Sequence, residues 1–258
     1  MHGRPIDLAI STQRLTKRYR TLVAVESLDL EVGRGEVFGF LGPNGAGKTT
    51  TIRMLTGLLL PSSGTATVAG FDVVEQPLEV KRRVGYMAEN PFLYEKLTGR
   101  EFLRFVADLH SVDPTASRER AQRLLALFEL ADKADASIDS YSRGMRQKLA
   151  LSASLMHEPE ILFLDEPTSG MDPRSARTVK DMLTGLARRG RTVLVSTHIL
   201  EIAQHMCDRV GIIANGRLLA TGTLDELRGG RDASLEDIFL ELTGGPEAEE
   251  LAAFLGDG

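Results

Sequence analysis

Alternating or consecutive apolar residues mark three stretches near the start of the chain and predict strands over Leu8–Leu15, Val23–Val32 and Glu36–Leu41. The third runs straight into GPNGAGKTT, after which TTIRMLTGLL changes period, with Ile52, Leu55 and Leu59 on one helical face. A PSSG turn precedes a short strand, Thr65–Ala69, and Val84–Met87 is a further apolar run. From about Thr98 to Met156 the strand signals vanish. Three helical patterns replace them, Glu101–His110, Ala116–Leu130 and Ser142–Met156, with Pro114 placed as a first-turn proline. Strands followed by helices then return at Ile161–Leu164, Thr192–Ser196 and Arg209–Ile213, and Asn215-Gly216 between apolar runs predicts a hairpin. Such alternation predicts an α/β fold with a mainly parallel sheet, interrupted by a helical insert at about 96–157.

Composition narrows this picture without changing it. The chain has 258 residues, 42% hydrophobic and 26% charged, enough to bury a sizeable core and unlike a disordered or fibrous protein. A net charge of −5 argues against a general electrostatic grip on nucleic acid. The single Cys207 rules out an internal disulfide and fits a reducing compartment. No run approaches the ~18 apolar residues of a membrane span, and MHGRPIDLAI lacks a basic-then-apolar leader pattern. A cytoplasmic protein is expected, reaching a membrane only through a partner. Beyond Gly244 an acidic stretch, PEAEEL, reads as a flexible tail over 245–258.

The chemistry begins at Gly42-Pro43-Asn44-Gly45-Ala46-Gly47-Lys48-Thr49, which fits the G-x-x-x-x-G-K-[ST] pattern between a predicted strand and a predicted helix. Glycines let backbone N–H groups turn inward around phosphates, Lys48 supplies a point charge, and the Thr49 hydroxyl suits Mg²⁺, a cation that wants oxygen ligands. A helix starting here, through Thr50, points its positive dipole end at the anion. The second group such a site needs is an acid at the end of a buried strand. ILFLDEP supplies Asp165 there, and Glu166 beside it points elsewhere, as a base for an attacking water would. His198 ends another apolar strand, where an imidazole can bond a terminal phosphate or serve a purely structural role.

Taken in order, GPNGAGKTT, SRGMRQ, LFLDEP, SGMD and STH resemble the motif series of ATP-binding-cassette (ABC) transporter nucleotide-binding subunits, over nearly the whole chain (5–244). The resemblance implies a P-loop NTPase fold with an antiparallel N-terminal β-subdomain, ATP and Mg²⁺ as ligands, and hydrolysis by Glu166-activated water. It implies that Ser142, an N-cap for the following helix, and Gly144 serve the terminal phosphate bound by a second copy or a paralogue, in a head-to-tail sandwich. Tyr19 matches the aromatic that stacks on adenine. Thr49 and Asp165 match the metal ligands. Three positions depart from the family pattern: Glu89 stands for a glutamine, Arg143 for a glycine and Met145 for a glutamine. Glu89 reads either as a metal or coupling residue or as a solvated loop acid. GTLDELR and SLEDIFLELTGG resemble the C-terminal segment of exporter-type subunits, implying solute export through a separate permease that docks near Glu89–Leu97. The rival reading is a soluble cassette ATPase acting on ribosomes or DNA; such proteins carry two cassettes or long basic extensions, which this chain lacks.

Overall fold

The computed structural model describes residues 7–244. Strands with one wet face and strands buried on both faces separate into two sheets. The first kind forms an antiparallel sheet at the N-terminal side. β1 (Leu8–Tyr19) pairs with β2 (Leu22–Leu28), with the short β3 (Glu31–Gly33), and with β5 (Ser63–Val68), which in turn pairs with β6 (Phe71–Asp72). The stretch Val23–Val32, expected as one strand, is therefore two. Ser27 has a left-handed φ of 46°, the Asp29 carboxylate accepts from Arg14 N, and the buried Thr12 hydroxyl donates to Leu28 O and accepts from Leu30 N. Side-chain bonds of this kind compete with a continuous ladder and turn the chain between two pairings with β1.

The second sheet joins β4 (Val37–Leu41), β7 (Val84–Met87), β8 (Ile161–Asp165), β9 (Thr192–Thr197) and β10 (Arg209–Ala214) in parallel, in the order β10-β4-β9-β8-β7, with β11 (Arg217–Gly222) antiparallel at the β10 edge. β4, β8 and β9 are buried at every position. Their register sets Leu41 beside Thr197 and Asp165 beside Ser196, so the carboxyl ends of three central strands stand level. That alignment builds the site. The helix after β4, α1 (Lys48–Leu55), ends sooner than its apolar period suggests, because Gly57 takes a φ of +66° and leaves Leu59 beyond the helix.

Between β6 and β7 lies α2 (Pro77–Arg83), whose one buried residue, Val80, gave no period to read. The helical insert comprises α3 (Gly99–Leu109), α4 (Pro114–Leu127) and α5 (Arg143–Leu155). α3 opens on a Thr98/Glu101 capping box and α4 on Asp113, which caps Thr115 N and Ala116 N. The Tyr141 hydroxyl donates to Lys133 O and sits where a Cβ on Gly99 would come within 2.5 Å, locking the insert's base. After β8, α6 (Pro173–Ala187) is capped by Asp172 with Pro173 at its first position. α7 (Leu200–Met206), α8 (Leu224–Arg228) and α9 (Leu235–Thr243) follow, and Leu235 and Ile238 close a small apolar cluster over Leu41, Val210 and Ile212. The expected acidic tail, 245–258, lies outside the described residues.

Cys207, half-buried, packs its thiol against the central sheet. A Cβ on Gly39 in β4 would come within 2.8 Å of its Sγ. Burial pushes the Cys207 thiol up to about 12, so little thiolate forms at pH 8. Ellman's reagent at that pH should label the native protein slowly and react at once with one thiol per chain in guanidinium; equally fast labelling of the native protein would contradict this packing.

Candidate functional site

The level strand ends open onto a cleft of about 670 Å³ between the two sheets. On one side runs the loop from Gly42 to Thr49, closed at its tip by Ala46 N donating to Pro43 O. Two glycines are sterically required. A Cβ on Gly42 would lie 2.3 Å from Ile213 O, and Gly47, at φ +106°, has Ala24 O 2.5 Å from the position a Cβ would take. Asn44, Gly45, Ala46, Gly47, Lys48, Thr49 and Thr50 all line the cleft. Lys48 is 7% exposed, and its Nζ donates to Gly42 O at 2.6 Å and Pro43 O at 3.1 Å. Burial lowers its pKa, while the carboxylates of Glu166, Asp165 and Glu89 oppose the fall.

Opposite the loop stand two carboxylates with different partners. Asp165, at the end of β8 and 2% exposed, accepts from the Thr49 hydroxyl at 2.6 Å and the Ser196 hydroxyl at 2.8 Å. Glu166, 5% exposed, has a left-handed φ of 49°, uncommon for a residue other than glycine, and this turns its side chain away from Asp165's partners. Its Oε2 accepts from the Thr197 hydroxyl, and its Oε1 accepts from His198 N at 2.9 Å and lies 2.7 Å from His198 Nδ1. Thus His198 is placed against Glu166, with its side chain 54% exposed.

The exposed Glu89 also lines the cleft, following β7. Tyr19, at the end of β1 and 43% exposed, forms the far wall, with Lys17 Nζ 5.2 Å from its ring centroid. Sequence reasoning missed part of the rim. The Asn215-Gly216 turn, read only as a hairpin, reaches the cleft and clasps the loop: Gly216 N donates to Ala46 O, and Glu26 N donates to Gly216 O. Ser196 and Thr197 were read as the end of a strand, not as the groups that hold the two acids.

Ser142 and Gly144 do not line this cleft. Ser142 caps α5, accepting from Met145 N at 3.3 Å. The departures nearby have local explanations. Met145 packs on the main apolar cluster, as does Met171, where a glutamine would bury an amide. Arg143 donates to the Ser169 hydroxyl at 3.1 Å and lies along Gly170, where a Cβ would come within 3.2 Å of its side chain.

Among the described residues no cluster of three or more His, Cys, Asp or Glu side chains could hold a metal by itself. What stands in the cleft is a hydroxyl, Thr49, against a carboxylate, Asp165, with Glu89 nearby. That set fits Mg²⁺, which takes few protein oxygens and completes its shell with water and phosphate.

A glycine loop opening a helix at the carboxyl edge of a parallel sheet, faced by a buried acid on another strand, defines a P-loop nucleotide-hydrolysing fold. Residues 25–169 match the ABC transporter family. The daunorubicin resistance ATP-binding protein DrrA3 of Streptomyces coeruleorubidus is 44% identical over 238 residues, 92% of this chain and 75% of that protein. The probable multidrug ABC transporter ATP-binding protein YbhF of Escherichia coli is 40% identical over 94% of this chain but only 43% of its own length. A solved structure of the ATP-binding subunit of an ABC transporter superposes with a TM-score of 0.86 at 34% identity, covering 91% of this chain and 99% of that one. The chain belongs to the ABC transporter family, as an ATP-binding and ATP-hydrolysing cassette.

Replacing the buried cation tests the cleft directly. Lys48→Ala should keep its far-UV spectrum and lose roughly 10–100-fold in affinity for a fluorescent ATP analogue, the worth of one or two hydrogen bonds to a charged group. Unchanged affinity would remove Lys48 from phosphate binding.

Proposed function

We propose that the cassette powers export of a solute through a separate membrane permease, closing head to tail with a second nucleotide-binding subunit around two molecules of ATP. The observation that carries the reading is the separation of two half-sites in one chain. The loop, Lys48 and the acids face one another across the cleft, whereas the Ser142-capped helix, with Gly144 in its first turn, stands outside it. A serine hydroxyl and free N–H groups at a helix start bind an anion, so this tip is suited to the terminal phosphate held by another copy.

In this reading Lys48 and the loop amides of Gly42–Thr49 bind and orient the triphosphate, and Tyr19 stacks on the base. Thr49 and Asp165, with Glu89 close by, would hold Mg²⁺, which when bound would offset the negative charge of the triphosphate. Glu166 accepts the proton of the attacking water. Its carboxylate is fixed by Thr197 and by His198, whose side chain is half exposed. Ser196 holds the second oxygen of Asp165 and stops it rotating toward the water.

The permease contact falls on the segment Glu89–Leu97. Phe92 is 89% exposed and Tyr94 52% exposed, above a groove of about 460 Å³ lined by Met87, Leu93, Phe102 and Val106. Large exposed aromatics beside an apolar groove are costly on a free surface and suited to a protein partner. Through that partner the cassette would sit on the inner face of the cell membrane; no helix among the described residues is itself long and apolar enough to cross one. The names of the relatives, a daunorubicin resistance protein and a probable multidrug transporter, favour export.

Glu166→Gln keeps the shape and one of the two accepting oxygens while removing the base. It should bind ATP as the parent does and release phosphate ~10²–10⁴-fold more slowly, the usual contribution of a general base. Near-parental turnover would take Glu166 out of this role.

A further inference from the structure

α4 and α6 each carry more apolar surface than their buried stripes use. On α4 the buried positions are Ser117, Ala121 and Leu125, yet Leu124 is half-buried on an adjoining face and Leu127 is 44% exposed. On α6 the buried stripe is Ser175, Val179, Leu183 and Ala187, and Met182 and Leu186 stand half-buried beside it. The surplus residues of both helices line one groove of about 370 Å³, together with the buried Leu155 and Leu162. It lies at the amino ends of β8 and β9, the opposite end of those strands from the nucleotide cleft, and shares no residue with that cleft.

Four arginines line the same groove, Arg120 and Arg123 from α4 and Arg189 and Arg191 from the turn between α6 and β9. In a chain of net charge −5 such a gathering needs a reason. Arg120 is held in place, donating to Met156 O and pairing with Glu158 at 2.9 Å. Arg123 reaches Glu119, on its own helix, at 3.5 Å. Among the described residues Arg189 and Arg191 have no carboxylate partner. The groove thus joins a hydrocarbon lining to an excess of guanidinium groups, in a volume typical of small-molecule sites. An apolar chain suits the first, and an acid the second, because a guanidinium donates to two carboxylate oxygens at once.

We propose that this groove binds a single-chain acidic amphiphile, an alkyl carboxylate, with its acid at Arg189 and Arg191 and its chain against Leu124, Leu155, Met182 and Leu186. A free monomer is the source, since the half-buried residues lie between two helices where a flat bilayer does not reach them. One wall belongs to the helical insert and the other to the sheet core, so the bound chain braces α4 against α6.

Calorimetric titration of the full chain tests the site. Decanoate, kept below its micellar concentration, should fill one saturable site per chain. Octanoate should bind about tenfold more weakly, the worth of two buried methylenes. Decanol, with the same chain and no acid, should bind at least tenfold more weakly than decanoate, and Arg189→Gln/Arg191→Gln should weaken decanoate by a similar factor. Saturating decanoate should slow amide hydrogen exchange over residues 120–127 and 182–189. Unsaturable heat, equal binding of decanol and decanoate, parental affinity in the double variant, or protection confined to other residues would overturn the proposal. The decanol comparison uses the parent chain, so it decides even where the double variant fails to fold. Phosphatidylglycerol vesicles should not carry the protein down on sedimentation; co-sedimentation without decanoate binding would assign the arginines to a bilayer surface and overturn the site.

Discussion

Two adjacent carboxylates, 2% and 5% exposed, must be held apart at the edge of a buried sheet, and the rest of the site follows from how that is done. A buried carboxylate without partners costs several kcal/mol. Here each has its own set. Thr49 and Ser196 hold Asp165, while Thr197 and His198 hold Glu166. Lys48, the cation of the cradle, is spent on the carbonyls of Gly42 and Pro43. With Glu89 exposed beside them, three acids face one buried lysine. A triphosphate entering such a cleft adds like charge, which explains why the donor set suits a divalent cation and why phosphate must displace internal bonds to Lys48.

The register of the parallel sheet turns that local requirement into a fold-level one. Only because β4, β8 and β9 end level do residues from Leu41, Asp165 and Thr197 onward meet across a few ångströms. One residue of slip would send the acids to the opposite face. The antiparallel sheet supplies the opposite wall through Tyr19, and the β10–β11 turn clamps the loop through Gly216. The helical insert contributes no wall to the cleft. It contributes Ser142 outside it and, through Gln147 Nε2 donating to Glu89 O, a hold on the loop that enters it.

Much of this was legible before any coordinates. The glycine pattern between a strand and a helix, the acid ending an apolar strand, and the helix start at Pro114 all encode local structure within a few residues. Expectations failed where tertiary side-chain bonds or a left-handed glycine overrode the apolar pattern. Val23–Val32 is divided by Thr12 and Asp29, and α1 is shortened by a left-handed Gly57. α2, with a single buried residue, had no period to betray it. The supporting hydroxyls of Ser196 and Thr197, the rim at Gly216 and the Gln147 tie depend on contacts between distant residues, and no spacing rule announces them. Glu89, for which the sequence left two readings open, lies in the cleft, so its departure from glutamine alters the charge of the site.

Sedimentation velocity of Glu166→Gln, with and without saturating ATP, bears most directly on the claim that one chain holds two halves of different sites. The account predicts a single-chain boundary without nucleotide and a boundary of twice that mass with ATP, lost when Ser142 is also replaced. A boundary of single-chain mass, with ATP demonstrably bound in the cleft, would contradict it.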